Sequence, residues 1–116
     1  MAIPHARSGE AVDVRPLGAK LRNTRTTALF KTDDLEVMRL VLAAGKSLPP
    51  HQVAGEITIH CIEGTIDVTH GGEAVRLEPG HLVYLARNVV HGVVAVEDAT
   101  ALVTVALRKS ESGVGA

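Results

Sequence analysis

Apolar positions recur along this chain with a period of two. Glu36, Met38, Leu40 and Leu42 share one face of an extended segment, and Val37, Arg39 and Val41 share the other. Ile57, Ile59 and Cys61 alternate with Thr58, His60 and Ile62. Ile66 and Val68 alternate with Asp67 and Thr69, and Val75 and Leu77 with Arg76 and Glu78. Successive side chains of a strand point to opposite sides, so each run predicts a strand with one buried face. Turn residues punctuate the runs. Asp33-Asp34 separates a strand over 28–31 from one over 35–43. Gly71-Gly72 lies between two alternating runs, where glycine's tolerance of positive φ predicts a tight hairpin. Glu78-Pro79-Gly80-His81 carries proline and glycine where a type II turn needs them. Pro49-Pro50 lacks ladder donors, which predicts a connection and not a central strand. Aliphatic, β-branched runs over 91–96 and 101–107 bring the total to roughly eight or nine short strands, an all-β sandwich or barrel. Val37, Val41 and Ile62 place apolar side chains on outer faces, so one sheet is expected to be covered, with a partner chain as the cover.

Composition narrows the picture. The chain has 116 residues, enough for one compact domain. Phe30 and Tyr84 are its only aromatic residues besides histidine, and there is no Trp, so the core must be aliphatic. Few rings and a net charge of -1 argue against nucleic-acid binding, which needs stacking surfaces and a basic footprint. No apolar run approaches the length of a membrane span. The opening residues show no apolar signal-peptide core, and a lone Cys61 cannot form an intrachain disulfide. A cytoplasmic protein is expected. The organisation expected is an N-terminal arm over 1–25 with scope for one further strand, a barrel over 26–109, and a flexible tail over 110–116 rich in small residues.

Six histidines are many for a chain of this size. Two of them fall within longer patterns. Gly45, His51 and Gly64 frame one segment, and Gly80 and His91 frame another. Fifteen residues separate Gly64 from Gly80. These segments resemble the two motifs of the cupin superfamily, G-x5-H-x-H-x3-E-x6-G and G-x5-P-x-G-x2-H-x3-N. The resemblance covers about residues 28–108. It implies a double-stranded β-helix, or jelly-roll barrel, that commonly forms homodimers. In metal-binding members the first motif supplies two His and one Glu, and the second supplies a His. Here His51 and His91 match, but Val53 stands at the second His and Ile57 at the Glu. Neither has a lone pair. Ala86 and Asn88 replace the proline and glycine of the second motif, and Asn tolerates a left-handed turn.

Strand parity ranks the substitutes. His51, Val53 and Ile57 belong to the inward register, followed by Ile59 and Cys61, so His60 is expected to face outward. Glu56 precedes the expected carboxylate by one position, and a loop at Gly55 could turn it inward as a metal ligand. Gln52 is a weaker substitute. Cys61 is expected in the core, although a thiolate there would be a strong ligand. His81 is explained by its turn, His70 by a solvated hairpin tip, and His5 by the N-terminal segment. Tyr84 could offer its hydroxyl to a ligand. Lys20, Arg22 and Arg25 read as a solvated basic cluster.

These residues suggest a small-molecule-binding protein with an incomplete metal site. Its ligand site would comprise His51, His91, Val53, Ile57, Ile59 and Tyr84, with Leu40 and Leu42 as further walls. The alternative is a metal-dependent enzyme, oxygenase- or isomerase-like. It would hold a weakly bound divalent transition metal on His51, His91 and Glu56. The third alternative is an interaction role carried by the dimer surface alone.

Overall fold

A computed structural model describes residues 5–107. It is all-β, with nine strands in two antiparallel sheets. The strands are β1 (Thr27–Lys31), β2 (Leu35–Leu42), β3 (Ser47–His51), β4 (Ile57–Glu63), β5 (Ile66–His70), β6 (Glu73–Leu77), β7 (Leu82–Leu85), β8 (His91–Ala95) and β9 (Ala99–Ala106). One sheet has the order β1-β2-β9-β4-β7 and the other β3-β8-β5-β6. Strands distant in sequence thus lie side by side, as in a jelly roll. The expected tail over 110–116 lies outside the described residues.

The alternation seen in sequence is the alternation of burial. Ile57, Ile59 and Cys61 are 3%, 1% and 0% exposed, while Thr58, His60 and Ile62 are half-buried on the outer face. Leu85 pairs beside Ile57 in the same sheet, and Ile66, Val68, Leu77 and Val93 form the facing wall of the same aliphatic core. Full burial of each such side chain favours folding by about 1.5–3 kcal/mol. The Gly71-Gly72 hairpin forms between β5 and β6 with both glycines at positive φ. Asn88 takes φ 63°, the left-handed position that glycine holds in the family motif.

Pro49-Pro50 departs from the expected connection. Both prolines lie within β3, which is an edge strand of its sheet. An edge strand can leave one side unpaired, so the missing N–H groups are tolerated there. The ladder to β8 is irregular between Leu48 and His51, across these prolines.

The arm adds no strand among the described residues. It enters the sheet region with one backbone bond, Ala6 N–H to the Leu29 carbonyl, and later forms a 3-10 helix, Gly18–Asn23. Leu21 of that helix is buried. Two carboxylates clamp it. Glu63 accepts the backbone N–H groups of Leu17 and Gly18 and the Thr100 hydroxyl, at 2.7, 3.1 and 2.9 Å. Asp98 accepts both Arg22 guanidinium bonds and the Ala44 N–H. Close backbone packing lies beside this clamp. Gly64 has φ +74°, and a Cβ there would stand 2.0 Å from the Asp98 carbonyl oxygen.

Candidate functional site

The end of the barrel away from that clamp is hollow. A cavity of about 460 Å³ opens between the sheets. Its floor and walls are aliphatic: Leu40, Ile57, Ile59, Val93, Val103 and Val105. Val53 and Met38 join them. Leu42, expected as a wall, packs against the core and does not reach the cavity. A wider depression of about 860 Å³ lies between the arm and β1, bordered by His5, Arg7, Glu10 and Asp13. It is an open groove of mixed lining, whereas the barrel cavity has the apolar lining and few polar groups of a ligand site.

His51 and His91 are cross-strand partners on β3 and β8. Their ring centroids lie 4.6 Å apart with the planes inclined by 48°. His91 is buried and His51 is exposed at the rim. Each Nδ1 donates to a backbone carbonyl two residues back: His51 to Pro49 at 3.2 Å and His91 to Val89 at 3.0 Å. A carbonyl can only accept, so both Nδ1 atoms carry a proton. Each neutral ring then has an Nε2 lone pair left for a ligand.

The remaining family ligand positions are apolar in space as well as in sequence. Val53 and Ile57 both line the cavity. Among the described residues no group of three or more His, Cys, Asp or Glu is placed to hold a metal. Two imidazoles fall short of the three protein ligands that catalytic metal sites keep, so the donor set does not fit a resident metal.

Glu56 does not repair it. Its carboxylate accepts the Tyr84 hydroxyl at 2.8 Å on the outside of the barrel, against the expectation that Gly55 could turn it inward. The backbone prevents that turn. The Glu56 carbonyl accepts the Ala106 N–H, and Gly55 packs so closely that a Cβ would meet the Ala106 oxygen at 1.5 Å. Tyr84 is likewise corrected. It is 58% exposed, opposite Thr58 on the outer face, and does not line the cavity. The hydrogen bond to Glu56, then burial, then the Glu56 charge push its phenol above the usual range.

Cys61 lies in the core, with its thiol directed to the Glu63 and Gly64 carbonyls at 3.6 and 3.4 Å. Burial, then the charges of Glu63 and Glu78, push that thiol upward, which keeps it protonated and a poor ligand. His60 faces outward between Leu82 and Leu102, as parity predicts. His81 accepts the Glu78 N–H at 2.9 Å and so serves its turn. His70 is half-buried and sits beside His91 in the β5–β8 register, a closer relation to the site than a solvated hairpin tip suggests.

One residue was missed. Glu36 lines the cavity on β2. Glu36 and Ile57 both pair with Val105 of β9, so Glu36 lies in the same cross-strand row as Ile57, two strands away. Its signal was present: it opens the period-2 face that continues with Met38 and Leu40. Among the described residues its carboxylate takes part in no side-chain hydrogen bond or ion pair. The hydroxyl of Thr26, which joins Glu36 and the two histidines on the lining, is already engaged with the Val41 backbone.

Comparison with known proteins agrees with this architecture. The family model described as "Cupin domain" matches residues 38–107. No curated protein matches the chain. Among solved structures, KdgF from Halomonas sp. is 26% identical, with a TM-score of 0.65, covering 74% of this chain and 80% of that one. An RmlC-like cupin from Desulfovibrio desulfuricans is 24% identical, with a TM-score of 0.70 and coverage of 84% and 97%. A conserved protein of unknown function from Streptococcus pyogenes is 19% identical, with a TM-score of 0.73 and coverage of 95% and 100%. With the motif glycines, the two-sheet jelly roll and the family match over most of the barrel, the chain belongs to the cupin family.

Proposed function

We propose that this cupin binds a small, largely apolar molecule in the barrel mouth, with His51 and His91 as its polar anchors. One observation carries the reading: a cavity of about 460 Å³, walled by aliphatic side chains, into which two carbonyl-fixed imidazoles are set. Its size lies within the range of small-molecule sites. Apolar residues at positions 53 and 57 favour a ligand with an aliphatic or aromatic body over a bare ion. Titration of the isotopically labelled protein with a panel of small amphiphiles tests this. Shifts confined to Leu40, Ile59, Val93 and the two histidines support it. Shifts spread over the outer faces, or none, reject it.

The second reading is a metal-dependent oxygenase- or isomerase-like enzyme. What favours it is the Nδ1-to-carbonyl bond on each imidazole, the arrangement that commonly orients metal-binding histidines. Against it stand the two missing donors. Metal analysis of untagged protein separates the readings: stoichiometric transition metal, lost in both His51→Ala and His91→Ala, would replace the first with the second.

The proposal extends to a cytoplasmic homodimer that binds neither nucleic acid nor membrane. Leu82 and Tyr84, 62% and 58% exposed on the outer face of the five-stranded sheet, support a covering partner chain. A monomer mass by light scattering at micromolar concentration would reject the dimer. No helix among the described residues is long and apolar enough to cross a membrane.

A further inference from the structure

The polar side chains of the mouth share one property. The imidazoles of His51 and His91 have committed their N–H groups to carbonyls, so as neutral rings they offer only acceptors. Glu36, on the β2 wall of the same cavity, is an acceptor in its ionised form and carries a full negative charge. Thr26 has its hydroxyl bound to backbone. Lys31 is the cross-strand partner of Glu36, but it is exposed and makes no ion pair with it among the described residues. The side chains therefore present three acceptors and, among the described residues, one charge without an ion-pair partner.

We infer that the ligand of this cavity is a protonated amine with an apolar body, its ammonium paired with Glu36 in a mouth where the His51 and His91 rings offer only acceptors. The inference rests on the mouth being the binding site. An ammonium supplies up to three donors and a positive charge, which matches what the side chains lack. A carboxylate ligand would meet Glu36 as a like charge and would find no side-chain donor until an imidazole took up a proton. An alcohol could donate once but would leave the Glu36 charge unanswered. Charge-assisted hydrogen bonds are roughly twice as strong as neutral ones, so the amine has the larger gain. The apolar body follows from Leu40, Ile59, Val93 and Val103, which could not solvate a second charged group.

Three probes with one hydrocarbon body test the assignment: hexylamine, hexanol and hexanoate, titrated calorimetrically into the native protein at neutral pH. Hexylamine is expected to bind about tenfold or more tighter than either of the others. Glu36→Gln keeps the shape of the side chain and removes its charge. It is expected to weaken hexylamine about tenfold while hexanol stays within about twofold. Hexanoate as the tightest probe, or equal binding of all three, overturns the amine assignment and leaves the mouth as a binding site. Binding of none, with no shifts at the mouth residues, overturns both. Should Glu36→Gln fail to fold, the ranking of probes on the native protein still decides the question.

Discussion

The two ends of the barrel treat carboxylates in opposite ways. At the closed end Glu63 and Asp98 each accept three hydrogen bonds, from backbone N–H groups, a hydroxyl and a guanidinium. At the open end Glu36 accepts none from a side chain or backbone among the described residues, although it lines a cavity. The same strands supply both ends: β4 runs from Ile57 to Glu63 and β2 from Leu35 to Leu42. The end of the barrel at which a carboxylate lies therefore decides whether the scaffold engages it. Buried polar groups that belong to the scaffold are satisfied within it.

Substitutions can break this contrast, and the closed end should give the largest effects. Gly64→Ala places a Cβ against the Asp98 oxygen at a backbone conformation that L residues avoid. It should cost about 3 kcal/mol or more in urea unfolding, combining overpacking with left-handed strain. Native-like stability would show that the Asp98 loop yields easily. Glu63→Ala should cost about 2 kcal/mol, because two backbone N–H groups and a hydroxyl lose their acceptor. Glu36→Gln at the open end should stay within about 0.5 kcal/mol of native stability. Equal losses at the two ends would erase the distinction.

At the mouth, effects should fall on binding. His51→Ala stands at the exposed rim, so it should leave stability nearly unchanged while weakening an amphiphilic amine about tenfold by calorimetry. The smallest effect is one of pH. The Arg22 side-chain hydrogen bonds first, and the Ala44 N–H second, hold the Asp98 carboxyl below the usual range. A depressed carboxyl contributes stability that is fully present above the unfolded-state value, near about 3.9. That contribution is lost as pH falls through the lower folded-state value. The pair is solvent-accessible, so the arm should loosen only modestly in acid. Proteolysis within residues 5–26 should rise at low pH, and Asp98→Asn should show the same rise at neutral pH.

Much of the architecture was legible because burial and alternation coincide. Each inward run reads off the sequence because water is excluded from one face only. The hairpin glycines and Asn88 were legible for a related reason, since positive φ selects few residues. Pro49-Pro50 was less so: proline excludes a central strand but cannot separate an edge strand from a loop. His51 and His91 were found through the family motif. Glu56 was misplaced because its orientation depends on a backbone bond to Ala106, a residue fifty positions away, and Tyr84 because its face is set by pairing with Thr58 on β4. Glu36 escaped notice because it begins a run whose other members are aliphatic. Only the cross-strand row through Val105 puts it level with Ile57.

The single thiol of the chain gives the barrel a clock. Cys61 is 0% exposed, with its sulfur tucked against two carbonyls. An alkylating reagent can reach it only when the sheets part. The rate of its modification, compared with that of an unfolded peptide, therefore reads the population of opened barrels directly. A ligand seated at the mouth slows that clock in proportion to its hold on the closed form, so its binding can be timed without any aromatic reporter or external dye.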